Sequence, residues 1–155
     1  MRLQKTTATA LFVVAFLFLL GFASCTDNHG LHPVPITGIS GTITFKGEWP
    51  ANTEFVRVAV YQAYPPPSLI ALSAVSDPLP FGAKSYRYIL PLKPGRYGWI
   101  LVAWKAQNAP FTDIRTLGTY YASGDSTKPG SVTVEKDRLT TNVDMVADFG
   151  VLNSP

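Results

Sequence analysis

Apolar residues recur at every second position along much of this chain, and that spacing constrains the fold more than any other feature. Ile39 to Phe45 reads Ile-Ser-Gly-Thr-Ile-Thr-Phe, so its isoleucines and its phenylalanine share one parity. Phe55 to Gln62 places Val56, Val58 and Val60 on one face, with Phe, Arg, Ala and Tyr on the other. A period of two is typical of a strand that buries one face. The composition of the second segment predicts that its other face is only partly wet.

One segment is apolar on both faces. Tyr97 to Trp104 reads Tyr-Gly-Trp-Ile-Leu-Val-Ala-Trp, and a strand of this kind belongs in the middle of a sheet. Prolines and glycines separate the apolar segments, most clearly three prolines at 65–67 and a Pro94-Gly95 turn. Further strands are predicted at Leu69 to Val75, Ser85 to Leu90, Arg115 to Ala122, Ser131 to Glu135 and Thr141 to Phe149.

After residue 37, no segment shows an apolar stripe of helical period with capping residues at its ends, and turn residues recur every dozen or so positions. The pattern therefore predicts an all-β fold. Seven or eight strands of this kind bury their apolar faces most simply as a single antiparallel Greek-key β-sandwich. A small closed barrel is the alternative.

The segment from Tyr86 to Gly98 contains a strand, the Pro94-Gly95 turn and a strand bearing Tyr97. It resembles the corresponding part of transthyretin-like, carboxypeptidase-regulatory-like and Cna-B-type domains, and Ile39 to Phe45 is similar to their first strand. The resemblance implies an accessory module, such as a stalk, a spacer, or a domain for surface binding or assembly.

The amino-terminal segment has the features of a secretion signal. Arg2 and Lys5 precede an uncharged apolar run, Ala10 to Phe22, which is rather short for a membrane span. The chain then reads Ala-Ser-Cys at 23–25, and Cys25 is its only cysteine. These residues resemble the lipobox of bacterial lipoprotein precursors, although Phe22 stands where an aliphatic residue is usual. The resemblance implies cleavage before Cys25 and attachment of acyl chains to it, which would anchor the protein to a lipid bilayer.

Two alternatives remain for this segment: an ordinary secretory signal that leaves Cys25 unmodified, and an uncleaved transmembrane helix. A lone cysteine in an exported chain would be a free thiol, which favours lipidation. The predicted organisation is a signal peptide at 1–24, lipidated Cys25 with a flexible tether at 25–37, a β-sandwich at 38–150 and a tail at 151–155. By resemblance to proteobacterial sorting, Thr26 after the cysteine favours the outer membrane over the inner membrane.

The charge of the chain argues against nucleic acid as a partner. The sequence has 13 Lys and Arg against 10 Asp and Glu; Arg2 and Lys5 lie in the leader, so 11 remain against 10. The remaining basic residues are scattered rather than clustered, so no basic patch is predicted.

Catalysis and metal binding are poorly supported by the sequence. The two histidines, His29 and His32, lie in the tether, which does not preorganise metal ligands, so no metal or other cofactor is predicted. Without a histidine after the tether, the sandwich cannot assemble a Ser-His-Asp arrangement. A carboxylate-based hydrolase that uses two acidic residues is a lesser alternative. Its candidates are Asp113, Asp125, Asp144 and Asp148.

Exposed aromatic rings are the best candidates for binding. We expect a non-catalytic, lipid-anchored accessory or binding module of the cell envelope that contacts an envelope protein; a polysaccharide is the alternative partner. The chain has more aromatics than one small core requires, and flat rings can stack on sugars or anchor a protein. Trp99 and Trp104 have opposite parity, so they should face opposite sides of one strand, and at least one must be in the core. The candidate binding residues are Trp49, Tyr64, Trp104, Tyr120 and Tyr121.

Overall fold

The computed structural model describes residues 34–122 and 126–153. The predicted signal peptide, Cys25 and Asp125 lie outside these ranges, as does most of the tether. Within them the chain forms ten strands: β1 Gly38–Lys46, β2 Thr53–Tyr61, β3 Ala74–Val75, β4 Ser85–Pro91, β5 Gly95–Tyr97, β6 Trp99–Ala106, β7 Arg115–Thr119, β8 Val132–Val134, β9 Leu139–Thr140 and β10 Met145–Asp148. Two short 3-10 helices span Phe111–Asp113 and Phe149–Asn153. No helix in the described part of the chain is long and apolar enough to cross a membrane.

The predicted all-β fold is confirmed, and its strands form two larger sheets and one small one. The first sheet has the order β10-β1-β4, with β9 also paired to β1; the second has the order β3-β2-β6-β7; β5 pairs with β8. As predicted from its two apolar faces, β6 lies inside its sheet, between β2 and β7.

The first sheet departs from the expected antiparallel pairing, because β9 and β10 both run parallel to β1. These two strands are parts of one interrupted run along β1: between them, the Val143 N–H still donates to the Ser40 carbonyl at 3.0 Å. Parallel neighbours need a long connection rather than a hairpin, and nearly the whole domain separates β1 from β9.

The main core lies between the two larger sheets and is built from residues of one parity on each strand. Its fully buried side chains include Ile39 and Ile43 of β1, with Val58 of β2 and Val102 of β6. In the last segment, Val143, Met145, Ala147 and Phe149 face inward as predicted. This is the layered arrangement of a β-sandwich.

Several predicted strands are shorter than expected: Arg115 to Ala122 is a strand only over Arg115–Thr119, and Ser131 to Glu135 only over Val132–Val134. Three others depart further from the prediction. Leu69 to Val75 forms a strand only at Ala74–Val75, because Ser68 to Leu72 makes a turn in which the Ala71 N–H donates to the Ser68 carbonyl at 3.1 Å. The run Tyr97 to Trp104 is divided at Gly98, whose N–H turns to the carbonyls of Tyr61 and Gln62. Thr141 to Phe149 is regular only over β10.

Candidate functional site

The second sheet buries side chains on both of its faces. On the face turned away from the main core, Ala59, Tyr61, Leu101 and Ala103 form a separate buried cluster, and Trp99 packs against it. This is the face of β2 that its composition predicted to be only partly wet. An apolar sheet face must be covered by something, and here two chain segments cover its margins.

The first margin is the loop between β2 and β3. The Tyr61 hydroxyl donates to the Leu69 carbonyl at 2.9 Å, which ties this loop to the sheet. Leu69, Ile70 and Leu72 nevertheless remain exposed, and 90% of the Ile70 side chain is open to solvent. The second margin is formed by the 3-10 helix with Phe111, which is 72% exposed, and by Ile114 after it.

A groove of about 610 Å³ remains open between these margins, and we call it the outer groove. Its residues are mostly apolar: Phe55, Ala59, Tyr61, Leu69, Ile70, Leu72, Val75, Trp99, Leu101, Ala103, Phe111 and Ile114, with Glu54, Arg57 and Thr116 as the polar members. A concave, mainly apolar site of this volume with few polar groups is typical of ligand-binding sites.

Arg57 is a polar residue of the groove floor whose hydrogen bonding is incomplete. Its Nη1 donates to the Ser76 carbonyl at 3.2 Å, and its guanidinium carbon lies 5.1 Å from the centre of the Phe55 ring. The Nε atom is buried and has no hydrogen-bond acceptor among the described residues. A buried donor of this kind is unusual and calls for an explanation.

The second cation of this sheet face is already neutralised. Lys105 is 3% exposed, forms an ion pair with Glu54, and lies 5.3 Å from the centre of the Phe111 ring. Glu54 reaches this face because the β2/β6 register shifts between Thr53 and Phe55.

A second groove, of about 670 Å³, has a different character. Its lining includes four threonines, among them Thr42 and Thr44 of β1, together with Asp144 just before β10 and the exposed Tyr121. The Asp144 carboxylate already accepts the Thr42 N–H at 2.6 Å. The outer groove is therefore the stronger site, because it combines an apolar floor with an unpartnered donor.

The five aromatics predicted for binding are not brought together by the fold. Trp49 packs on Phe45 and Phe149 beside the main core and donates to the Ala83 carbonyl at 3.0 Å. Trp104 also packs against that core, and its Nε1 donates to Thr53 Oγ1 at 2.9 Å.

The other three lie in different places. Tyr120 is half-buried against the main core, and Tyr121 is exposed beside the threonine-lined groove. Tyr64 is exposed and meets Trp99 edge-on, with ring centres 5.3 Å apart. Trp99 is thus the tryptophan that lines the outer groove. It lies on the face of β6 opposite to Trp104, as their opposite parity predicted. Sequence analysis did not select Arg57, although its place on the second face of β2 could be read from the period.

The three candidate acids within the described ranges, Asp113, Asp144 and Asp148, have local hydrogen-bond partners. Asp148 accepts the Gly150 N–H at 2.8 Å, and Asp113 lies beside Thr112 on an exposed turn. Within residues 34–122 and 126–153, no three His, Cys, Asp or Glu side chains lie close enough together to hold a metal ion.

Comparison with known protein families, curated proteins and solved structures found no match to this chain. Its function is therefore inferred from the chemistry of the outer groove.

Proposed function

We propose that this protein is a non-catalytic binding module of the bacterial cell envelope, anchored through an acylated Cys25, with a ligand in the outer groove. One observation carries the proposal: a groove of about 610 Å³ lies over the apolar outer face of the second sheet, between two margins that expose apolar side chains. Leu69 and Phe111 on these margins expose apolar surface to solvent. Such surface is costly in a soluble domain unless it has a use.

The ring geometry favours an apolar ligand over a sugar. A sugar platform needs ring faces that are open and coplanar, whereas Trp99 stacks on Tyr61 at 5.3 Å with 28° between the planes. Tyr64 approaches Trp99 edge-on at 69°. Tyr61 and Trp99 therefore line the outer groove as a stacked pair rather than as two open ring faces, and Tyr64 is not among the residues that line the groove.

The polar groups of the groove suit binding rather than catalysis. Glu54 and Lys105 are paired with each other. The guanidinium of Arg57 carries a positive charge and offers only N–H donors, so it suits an anion.

The proposed location follows from the lipobox resemblance at 22–25 and from Thr26. The role of an accessory module agrees with the resemblance of Tyr86 to Gly98 to transthyretin-like and related domains.

The test is photolabelling of isolated membranes that contain the full chain. A neutral alkyl diazirine should label peptides from the groove margins, near Leu72 and Ile114, more strongly than peptides from β8. Ala103→Trp, which fills the groove floor, should abolish this preference. Thr133→Trp places the same side chain on an exposed position of β8 and should leave it intact. Equal labelling of margins and β8 in the unmodified chain would refute the proposal.

A further inference from the structure

We infer that the ligand of the outer groove is a single-chain amphiphile with an anionic oxygen head group, a carboxylate or a phosphate, and that Arg57 binds this head. The inference rests on the proposed function and adds the chemical class of the ligand.

The Arg57 guanidinium is held on one side only. Its Nη1 is held by the Ser76 carbonyl at 3.2 Å, and the Phe55 ring lies 5.1 Å from its central carbon. These contacts hold one side of the planar group. On the opposite edge lie Nε and Nη2, and Nε has no acceptor among the described residues. This edge is the one that binds carboxylates and phosphates through two parallel hydrogen bonds.

The charge of Arg57 also favours an anionic ligand. Among the described residues Arg57 has no carboxylate partner, whereas Lys105 on the same sheet face is paired with Glu54. The outer groove therefore carries one unmatched positive charge beside an apolar floor. A positive charge at the margin of low-dielectric surface attracts an anion more strongly than it would in water. An anionic head complements this end of the groove, and a neutral ligand would leave the charge and the Nε donor unmatched.

The shape of the outer-groove floor favours an extended alkyl chain. The register pairs Arg57 with Ala103, Ala59 with Leu101, and Tyr61 with Trp99, so the groove floor runs in three rows from the cation to the aromatic pair. Four residues of strand span about 13 Å. The two alanines keep the first rows low, while the larger side chains of the margins stand on either side. A trough of this length and composition fits one extended alkyl chain.

Size separates this class from a protein partner. A volume of about 610 Å³ falls within the range of roughly 300 to 1,000 Å³ that is typical of small-molecule sites. A stable protein partner would need to cover far more surface than the groove itself offers.

The experiment is displacement of the neutral alkyl diazirine from membranes that contain the full chain. Dodecanoate and dodecyl phosphate supply the two anionic heads, and dodecanol supplies the same chain without charge. An anionic competitor should halve the labelling at about one tenth of the dodecanol concentration, as expected for a charge-assisted hydrogen bond. The more potent of the two anions identifies the head group.

Arg57→Met should make the three competitors equal, and Arg57→Lys should restore only part of the difference, because lysine keeps the charge but loses the two-bond geometry. Arg87→Met removes an exposed arginine outside the groove and should change nothing. Labelling by the neutral probe reports whether each variant still forms the groove. Equal potency of anions and alcohol in the unmodified chain would overturn this inference and leave the proposed function standing. Loss of groove labelling altogether would instead count against the proposed function.

Discussion

The hydroxyl of Tyr61 donates to the carbonyl of Leu69 at 2.9 Å, and this hydrogen bond joins the floor of the outer groove to its first margin, the loop between β2 and β3. Tyr61 is nearly buried on β2, whereas Leu69 lies in a loop with much of its side chain exposed. The loop has little other regular bonding to the sheet before Ser73, whose N–H donates to the Val60 carbonyl at 2.8 Å. Tyr61 therefore holds this margin in position against the second sheet.

Tyr61→Phe should loosen this margin without disrupting the main core. We expect a loss of about 1 kcal/mol in the free energy of unfolding, the usual net value of one hydrogen bond. Amide hydrogen exchange over residues 64–73 should increase, while exchange in β1 and β4 stays unchanged. Tyr86→Phe alters an exposed tyrosine on β4 and serves as the control. An unchanged exchange rate in the loop would contradict the assigned role of Tyr61.

The two tryptophans of β6 should give opposite results when truncated. Trp104→Ala removes packing from the main core and leaves Thr53 Oγ1 without its donor, so it should cost about 3 kcal/mol of stability. Trp99→Ala removes a ring from the second face and should cost less stability, while weakening binding in the outer groove more. Denaturant unfolding and groove photolabelling measure the two effects. A larger stability loss for Trp99→Ala would mean that the two faces have been assigned the wrong roles.

The parity of these tryptophans shows how far the sequence could predict the site. Their opposite orientation follows from a period of two, and the interior position of β6 follows from its two apolar faces. Which face would meet the other sheet does not follow, because both faces of Tyr97 to Trp104 are apolar. Trp104 was selected for binding, yet it is Trp99 that lies in the outer groove.

The path of the loop after the three prolines also could not be predicted from the sequence. Leu69 to Val75 has the composition of a strand, and local composition does not distinguish a strand from a loop that packs on a sheet. The loop is placed by contacts to residues distant in sequence, such as that of Ser73 with Val60. The unpartnered Nε of Arg57 depends on this path and could not be predicted.

Gly118 marks a close approach between the sheets. A β-carbon at this position of β7 would lie 1.9 Å from the Val146 carbonyl oxygen on β10. Gly118→Ala should therefore push the two strands apart and destabilise the protein by about 1 to 3 kcal/mol, the usual cost of overpacking. Thr116→Ala on the same strand changes an exposed side chain and should be nearly neutral. Thermal unfolding compares the variants. An unchanged unfolding midpoint for Gly118→Ala would show that β7 and β10 leave room for a β-carbon at this position.

Stability should fall at alkaline pH because of Tyr88. Burial, and then the negative charges of Asp144 and Tyr120, raise the pKa of its phenol well above the usual 10.0. The folded state therefore retains a proton that the unfolded state loses, so stability is constant below about pH 10 and declines above it, by at most about 1.4 kcal/mol per pH unit for this group. Burial also raises the pKa of Tyr61, which adds in the same direction.

Tyr88→Phe should make this decline shallower. At neutral pH the variant should be about 1 kcal/mol less stable, because the Tyr88 hydroxyl donates to the Val143 carbonyl at 2.8 Å. Urea unfolding at pH 8 and at pH 11 measures both effects. A decline as steep as that of the unmodified chain would assign the alkaline sensitivity to other groups.

Cys25→Ser should release the protein from the membrane if the lipobox resemblance is correct. Two or more acyl chains hold a protein durably, whereas the polar segment Thr26 to Pro35 offers no second anchor of comparable strength. Variant chains from which the leader has been removed should move from the membrane fraction to the aqueous fraction, while Thr26→Ser should behave like the unmodified chain. Mass spectrometry of the mature amino terminus should show acylated Cys25 as the first residue. A mature chain with a bare thiol, or a membrane-bound Cys25→Ser variant without its leader, would contradict the anchor.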